Sequence, residues 1–121
     1  MRKYDQAEIE IFKAKLLEIK YSEEKEFKNF DDNLTEIFES GKDENSIDTT
    51  SYSVQVETLI NAKNRIAKHL TQVNNALLRI QNNNYGICAE TGHLIPKERL
   101  LAVPTTTLSM EGKLIREKKI K

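Results

Sequence analysis

Apolar positions recur at helical spacing over most of the chain. Ile9, Phe12, Leu16 and Ile19, then Phe27, Phe30, Leu34 and Ile37, follow one another at three- or four-residue steps with a single step of eight. That spacing puts them on one stripe of a helix. No Pro or Gly falls between Tyr4 and Ser40, so one long amphipathic helix is predicted. The step from Ile19 to Phe27 divides into two spacings of four through Glu23, which reads as a stutter in a supercoil rather than a break. Ser40 to Ser46 supplies a stop and a turn, with Gly41 suited to the left-handed cap. A capping residue at Asp48, Thr49 or Ser51 then opens a second helix. Its stripe runs Tyr52, Val56, Leu59, Lys63, Ile66, Leu70, Val73, Leu77 and Ile80, four and three apart in turn, with Lys63 as the sole polar member.

Two long helices joined by a short loop must lie antiparallel. The pattern therefore predicts a coiled-coil hairpin over residues 1–83 with its tip at about 41–50. Asn82, Asn83 and Asn84 followed by Gly86 end the second helix, and a small module occupies 84–121. Its apolar residues, among them Tyr85, Ile87, Leu94, Ile95 and Leu100, are too few for a core of their own. The module must pack on the base of the hairpin or be held by something else. Thr106 or Thr107 is expected to cap a last helix from Leu108 to about Lys119. The fold class is mainly α: a long antiparallel coiled-coil hairpin, a small finger-like globule and a C-terminal helix.

Composition narrows the function. The 121 residues are 31% charged and sum to zero net charge. Residues 1–48 nevertheless hold 14 acidic against 8 basic side chains, and 49–121 hold 5 against 11, giving −6 and +6. A balanced total provides no global field for the phosphate backbone, so DNA binding is not expected. The single cysteine, Cys88, excludes an internal disulfide and a four-cysteine metal site. No apolar run is long enough for a membrane span and the amino terminus carries no apolar signal segment, so a cytoplasmic protein is expected. Gly-rich phosphate loops, His-Glu-x-x-His and Gly-x-Ser-x-Gly are all absent, and the chain does not read as an enzyme.

The most informative stretch is Tyr85-Gly86-Ile87-Cys88-Ala89-Glu90-Thr91-Gly92, leading through Arg99-Leu100-Leu101-Ala102-Val103-Pro104 to Ser109 and Gly112. It resembles the C-terminal finger of the DksA/TraR family, bacterial regulators that bind RNA polymerase. In that family an aromatic-Gly-x-Cys-x-x-Cys-Gly start leads, past an Arg-Leu-x-Ala-x-Pro stretch, to a second Cys-x-x-Cys. The spacing is kept here without a gap, but the four ligand positions hold Cys88, Thr91, Ser109 and Gly112. Structural zinc takes four N or S ligands, which Gly and a neutral Thr cannot supply. Zinc is not expected, and Cys88 is read as a half-buried, inert remnant in a module held by packing. Arg99 is assigned to tying the module to the helices or to touching the polymerase rim.

The resemblance also implies a mechanism. In the family the hairpin enters the secondary channel of the polymerase, and an acidic tip with an Asp-x-x-Asp-x-Ala pattern acts there on initiation. Gapless counting places that pattern on Asn45 to Thr50, so Asp48 keeps the second acid while Asn45 and Thr50 depart from the pattern. Asp43 and Glu44 add negative charge nearby. The family's site for guanosine tetraphosphate, shared with the polymerase, falls on Arg65, Gln72 and Lys113. Two of the three keep a cation able to hold phosphate. The implied partner is RNA polymerase, with neither a specific DNA sequence nor a membrane. The alternative is a helical hairpin adaptor, able to pair with itself, that has lost the tip chemistry. His69, beside Leu70, is read as a solvated flank.

Overall fold

A computed structural model describes residues 3–40 and 49–120. Four helices are present among them: α1 (Gln6–Ser40), α2 (Thr49–Gln81), α3 (Lys97–Ala102) and α4 (Met110–Ile120). The chain divides into two compact units, one of residues 1–19 with 72–121 and one of residues 20–71. The module shares its unit with the first turns of α1 and the last turns of α2. The tip positions Asp43, Glu44, Asn45 and Asp48 lie outside the described residues. Thr50 belongs to the first turn of α2, with its side chain likewise outside them.

The start of α1 is set by Asp5, whose Oδ1 accepts the backbone N–H of Glu8 at 2.8 Å. An acceptor at this place satisfies one of the four free N–H groups of a helix start. The helix starts after Tyr4, which is released to pack inward. At the other end of α2 the three Asn residues do what their backbone tolerance allows. Asn83 takes the left-handed conformation (φ 63°). The N–H of Asn84 reaches the carbonyl of Arg79 at 2.9 Å, and that of Asn83 reaches Ile80 at 3.2 Å. These two bonds form a Schellman exit that closes the free carbonyls of the last turn.

In the unit of residues 20–71 the two helices run antiparallel. As α1 advances from Glu23 to Asp31, their partners on α2 retreat from His69 to Lys63. The apolar stripe is covered as the spacing requires, with Leu34 buried and Phe27, Phe30, Ile37, Leu59, Ile66 and Leu70 partly covered. The eight-residue step leaves α1 unbroken. Glu23 takes the vacant place in the stripe and pairs with His69 at 2.5 Å. His69 is therefore no free flank: its ring is held across the seam. Lys63 is bonded to Asp31 at 2.5 Å and lies 5.0 Å from the centre of the Phe27 ring, so its charge is answered on both sides.

The other unit holds the core. Phe12 and Leu16 of α1, Val73 and Ala76 of α2, and Tyr85, Cys88, Ile95 and Leu100 of the module form one buried cluster. The module thus draws its core from the helices, as its few apolar residues demanded. The Phe12 ring packs edge-on against Tyr4 at 5.2 Å and tilted against Tyr85 at 5.6 Å. Two polar ties fix the aromatics. The Tyr4 hydroxyl donates to the carbonyl of Ile95, and the Tyr85 hydroxyl donates to that of Pro104 at 2.7 Å. Burial pushes the Tyr85 hydroxyl up to about 12, so it stays a donor at any ordinary pH.

Candidate functional site

The finger-like module is built on a short two-residue pairing between Ile87 and Leu94. The N–H of Cys88 donates to His93 O at 2.8 Å and that of Ile95 to Gly86 O at 2.7 Å. Between them the chain turns through Gly92 (φ 73°), whose N–H reaches back to Cys88 O at 2.9 Å. This bend between the paired residues is the module's knuckle. It also binds the segment that leads into α4, through Ala89 N–H to Thr107 O at 2.8 Å.

The four positions assigned to ligands do converge. Cys88 Sγ accepts from the backbone N–H of Ser109 at 3.4 Å and from its hydroxyl at 3.5 Å. Ser109 Oγ in turn accepts the N–H of Gly112 at 3.0 Å, which makes Ser109 the cap of α4. The expected cap at Thr106 or Thr107 does not form. The Thr106 hydroxyl is spent on Leu108, accepting its N–H at 3.2 Å and donating to its carbonyl at 2.9 Å, and the helix accordingly starts at Met110 rather than Leu108. Cys88 is fully covered, not half-buried, at 1% exposure. Burial by itself pushes its thiol up, but hydrogen bonds from Ser109 and Thr91 outweigh that and bring it down to about 6.

This donor set does not fit the C4-type metal site whose spacing it keeps. One thiol, two hydroxyls and a glycine offer one of the four N or S ligands that tetrahedral zinc requires. No cluster of three or more His, Cys, Asp or Glu suited to a metal occurs among the described residues. His93 is exposed and meets Cys88 only through its backbone.

A cationic cleft of about 460 Å³ lies in the same unit. Gln72 and Arg79 of α2, Arg99 of α3 and Lys113 of α4 line it together with Thr106 and Leu108, and no carboxylate does. The module's fold turns two of these cations inward. Arg99 Nε donates to Leu108 O at 2.8 Å, a bond within the module rather than one to the hairpin helices. Arg79 Nη2 donates to Thr105 O at 3.2 Å, and its desolvation lowers the guanidinium pKa against the opposing effect of Tyr85. Lys113 is exposed. Three positive groups around a cleft without a carboxylate suit an anion, above all one with several oxygens.

Of the three positions assigned to the alarmone, Gln72 and Lys113 are thus brought together. Arg65 belongs to the other unit, where it lines a shallow groove with Glu23, Glu26, Phe30, Ile66 and His69. Arg79 was missed by sequence reasoning. Its signal was present in its place beside Ile80 in the last turn of α2, where a cation suits the helix end and can reach the following segment.

Glu90 is a further residue that the spacing did not single out. Its carboxylate accepts from Lys119 and from Arg116 at 3.4 Å. The bond from Lys119 holds its pKa below the usual range, helped by both charges over the opposing desolvation. The pair fastens the far end of α4 to the knuckle.

The comparisons with known proteins agree with this geometry. The prokaryotic dksA/traR C4-type zinc finger matches residues 83–111. Over 105 residues the chain is 31% identical to the RNA polymerase-binding transcription factor DksA of Caulobacter vibrioides, covering 87% of this chain and 72% of that protein. The structure of transcription factor DksA2 from Pseudomonas aeruginosa superposes with a TM-score of 0.83 at 28% identity, over 95% of this chain and 87% of that one. The RNA polymerase binding protein and transcriptional regulator Dks from Chlamydia trachomatis gives a TM-score of 0.56 at 25% identity, over 97% and 95%.

Proposed function

The chain belongs to the DksA/TraR family, and from that premise we propose that it is a transcription regulator that binds RNA polymerase, inserts the tip of its hairpin into the secondary channel and modulates initiation there. The observation that carries this reading is similarity along nearly the whole chain, helices and module together, to proteins named for polymerase binding. A match confined to the finger would have left the helices free for another use.

In this reading residues 1–83 are the inserting element and 84–121 the module that seats it. The tip residues Asp43, Glu44, Asn45, Asp48 and Thr50 act on the enzyme, with Asp48 the principal group. A carboxylate brought near a bound divalent ion interacts with it strongly. The cleft at Gln72 and Lys113 faces the polymerase, and guanosine tetraphosphate binds there only in the complex. Arg79 and Arg99 supply its charge in place of the cation that Gln72 lacks. The place of action is the cytoplasm; no helix among the described residues is long and apolar enough to cross a membrane.

Pull-down with purified core polymerase tests the proposal. Retention of the enzyme, together with a change in transcript yield from a reporter promoter that Asp48→Asn abolishes while the helical spectrum is kept, is the expected result. Absence of retention would leave the helical adaptor, pairing with itself, as the better account. Retention with an effect that Asp48→Asn leaves intact would remove the tip from the mechanism.

A further inference from the structure

We propose that the finger-like module of this chain folds without zinc, and that the close seating of Cys88 Sγ against Gly112 and Ser109 takes the place of metal coordination. Two independent observations carry this. The first is the donor set, with one thiol where four N or S ligands would be needed. The second is space. A Cβ added at Gly112 would fall far inside contact distance of Cys88 Sγ, and it would also stand 3.4 Å from Glu90 Cβ and from Ser109 Oγ. The sulfur occupies the volume in which a side chain at position 112 would begin. In a tetrahedral site, ligand side chains at both positions must start apart and reach in toward a common centre. Here the helix start rests directly on the sulfur, and no room separates the two positions for an ion.

The forces that a metal would supply are found in other groups. Cys88 Sγ accepts two hydrogen bonds from Ser109. Ser109 caps α4 through the N–H of Gly112. Glu90 holds the last turns of α4 through Arg116 and Lys119. The knuckle and the helix are therefore joined at both ends by protein groups alone.

The test uses the full chain, purified from zinc-supplemented medium and dialysed against a strong chelator until zinc falls below a tenth of an equivalent. Thermal unfolding is followed by circular dichroism before and after. The expected shift in Tm is under about 5 °C, whereas loss of a structural zinc from a domain of this size should lower it by about 10 °C or more. A fall of 5 °C or more on chelation would overturn the proposal.

The packing half is read from a two-residue cycle. Gly112→Ala should lower Tm, and Cys88→Ala placed in the same chain should restore part of the loss, because removing the sulfur frees the volume that the new methyl needs. Losses that simply add would show that the sulfur does not fill that place, and would overturn the seating of Cys88 on Gly112.

Discussion

Gly86 and Gly92 provide a matched pair for weighing backbone strain against crowding. Both carry positive φ, 85° and 73°. A Cβ at Gly92 meets nothing within 4 Å, whereas one at Gly86 meets the Tyr4 ring at 2.9 and 3.1 Å and Leu100 at 3.6 Å. Gly92→Ala therefore bears the left-handed penalty alone, about 1–2 kcal/mol, offset by about 0.4–1 kcal/mol through the smaller entropy of the unfolded chain. Its net effect should be about 1 kcal/mol or less. Gly86→Ala bears the same terms and must also move the ring. Tyr4 cannot swing aside freely, since its hydroxyl is bonded to Ile95 and its ring rests edge-on against Phe12. Overpacking of this kind costs about 1–3 kcal/mol, so Gly86→Ala should lose about 1–4 kcal/mol in all. Urea unfolding of both variants, followed at 222 nm and compared at equal m-value, measures the difference. Equal losses, or a larger loss at Gly92, would refute the claim that Tyr4 is locked against Gly86. Restoration of Gly86→Ala by Tyr4→Ala would support it further.

Three other outcomes follow from the packing. Tyr85→Phe leaves the Pro104 carbonyl without its donor in a buried place and should cost about 1–3 kcal/mol in urea unfolding; a neutral result would mean that another donor reaches that oxygen. Lys63→Leu places an apolar group in the seam beside Phe27 and gives up only an ion pair whose Asp31 partner is exposed. A gain of about 0.5–1 kcal/mol is expected, and a loss would show that the pair is worth more than its exposure implies. For Cys88, a folded pKa of about 6 lies below the usual thiol value, so the folded chain binds the proton less tightly than the unfolded one. Its contribution is fully present above the ordinary thiol range near about pH 8.5 and disappears as pH falls through about 6. The urea midpoint should rise across that window and Cys88→Ala should flatten the rise; an equal rise in the variant would assign it to other groups.

Much of the architecture was legible because its main signal is periodic. The stripe from Ile9 to Ile37 and the stripe from Tyr52 to Ile80 are covered in the structure at the positions the spacing named. The pattern was less informative at the base. There the seam reading chose Leu77, but Ala76 is the fully buried neighbour. The module lies against α2 and widens its covered face from a coiled-coil stripe to the broader face of a globular helix, taking in Val73, Ala76, Leu77 and Ile80 together. A narrow heptad template cannot anticipate that widening.

Pairings across elements were the other loss. His69 looked like a solvent-facing residue because its partner, Glu23, is 46 positions away; only the register of the two helices joins them. The cap at Ser109 was hidden for a similar reason. Thr106 and Thr107 are equally good capping types, and what rules out Thr106 is a local bond to Leu108 that spacing does not reveal. The four ligand positions were named by spacing alone, while the way Cys88 sits on Gly112 needed three dimensions.

The two polar pairs of the arm act together as a stop against sliding. Displacing one helix past the other by a single turn would carry Glu23 and Asp31 away from His69 and Lys63 at once, and both ion pairs of the present register would be lost together. An all-leucine zipper of equal length would tolerate several such offsets at small penalty. This arm has one notch, and every copy of the protein is cut to the same gauge.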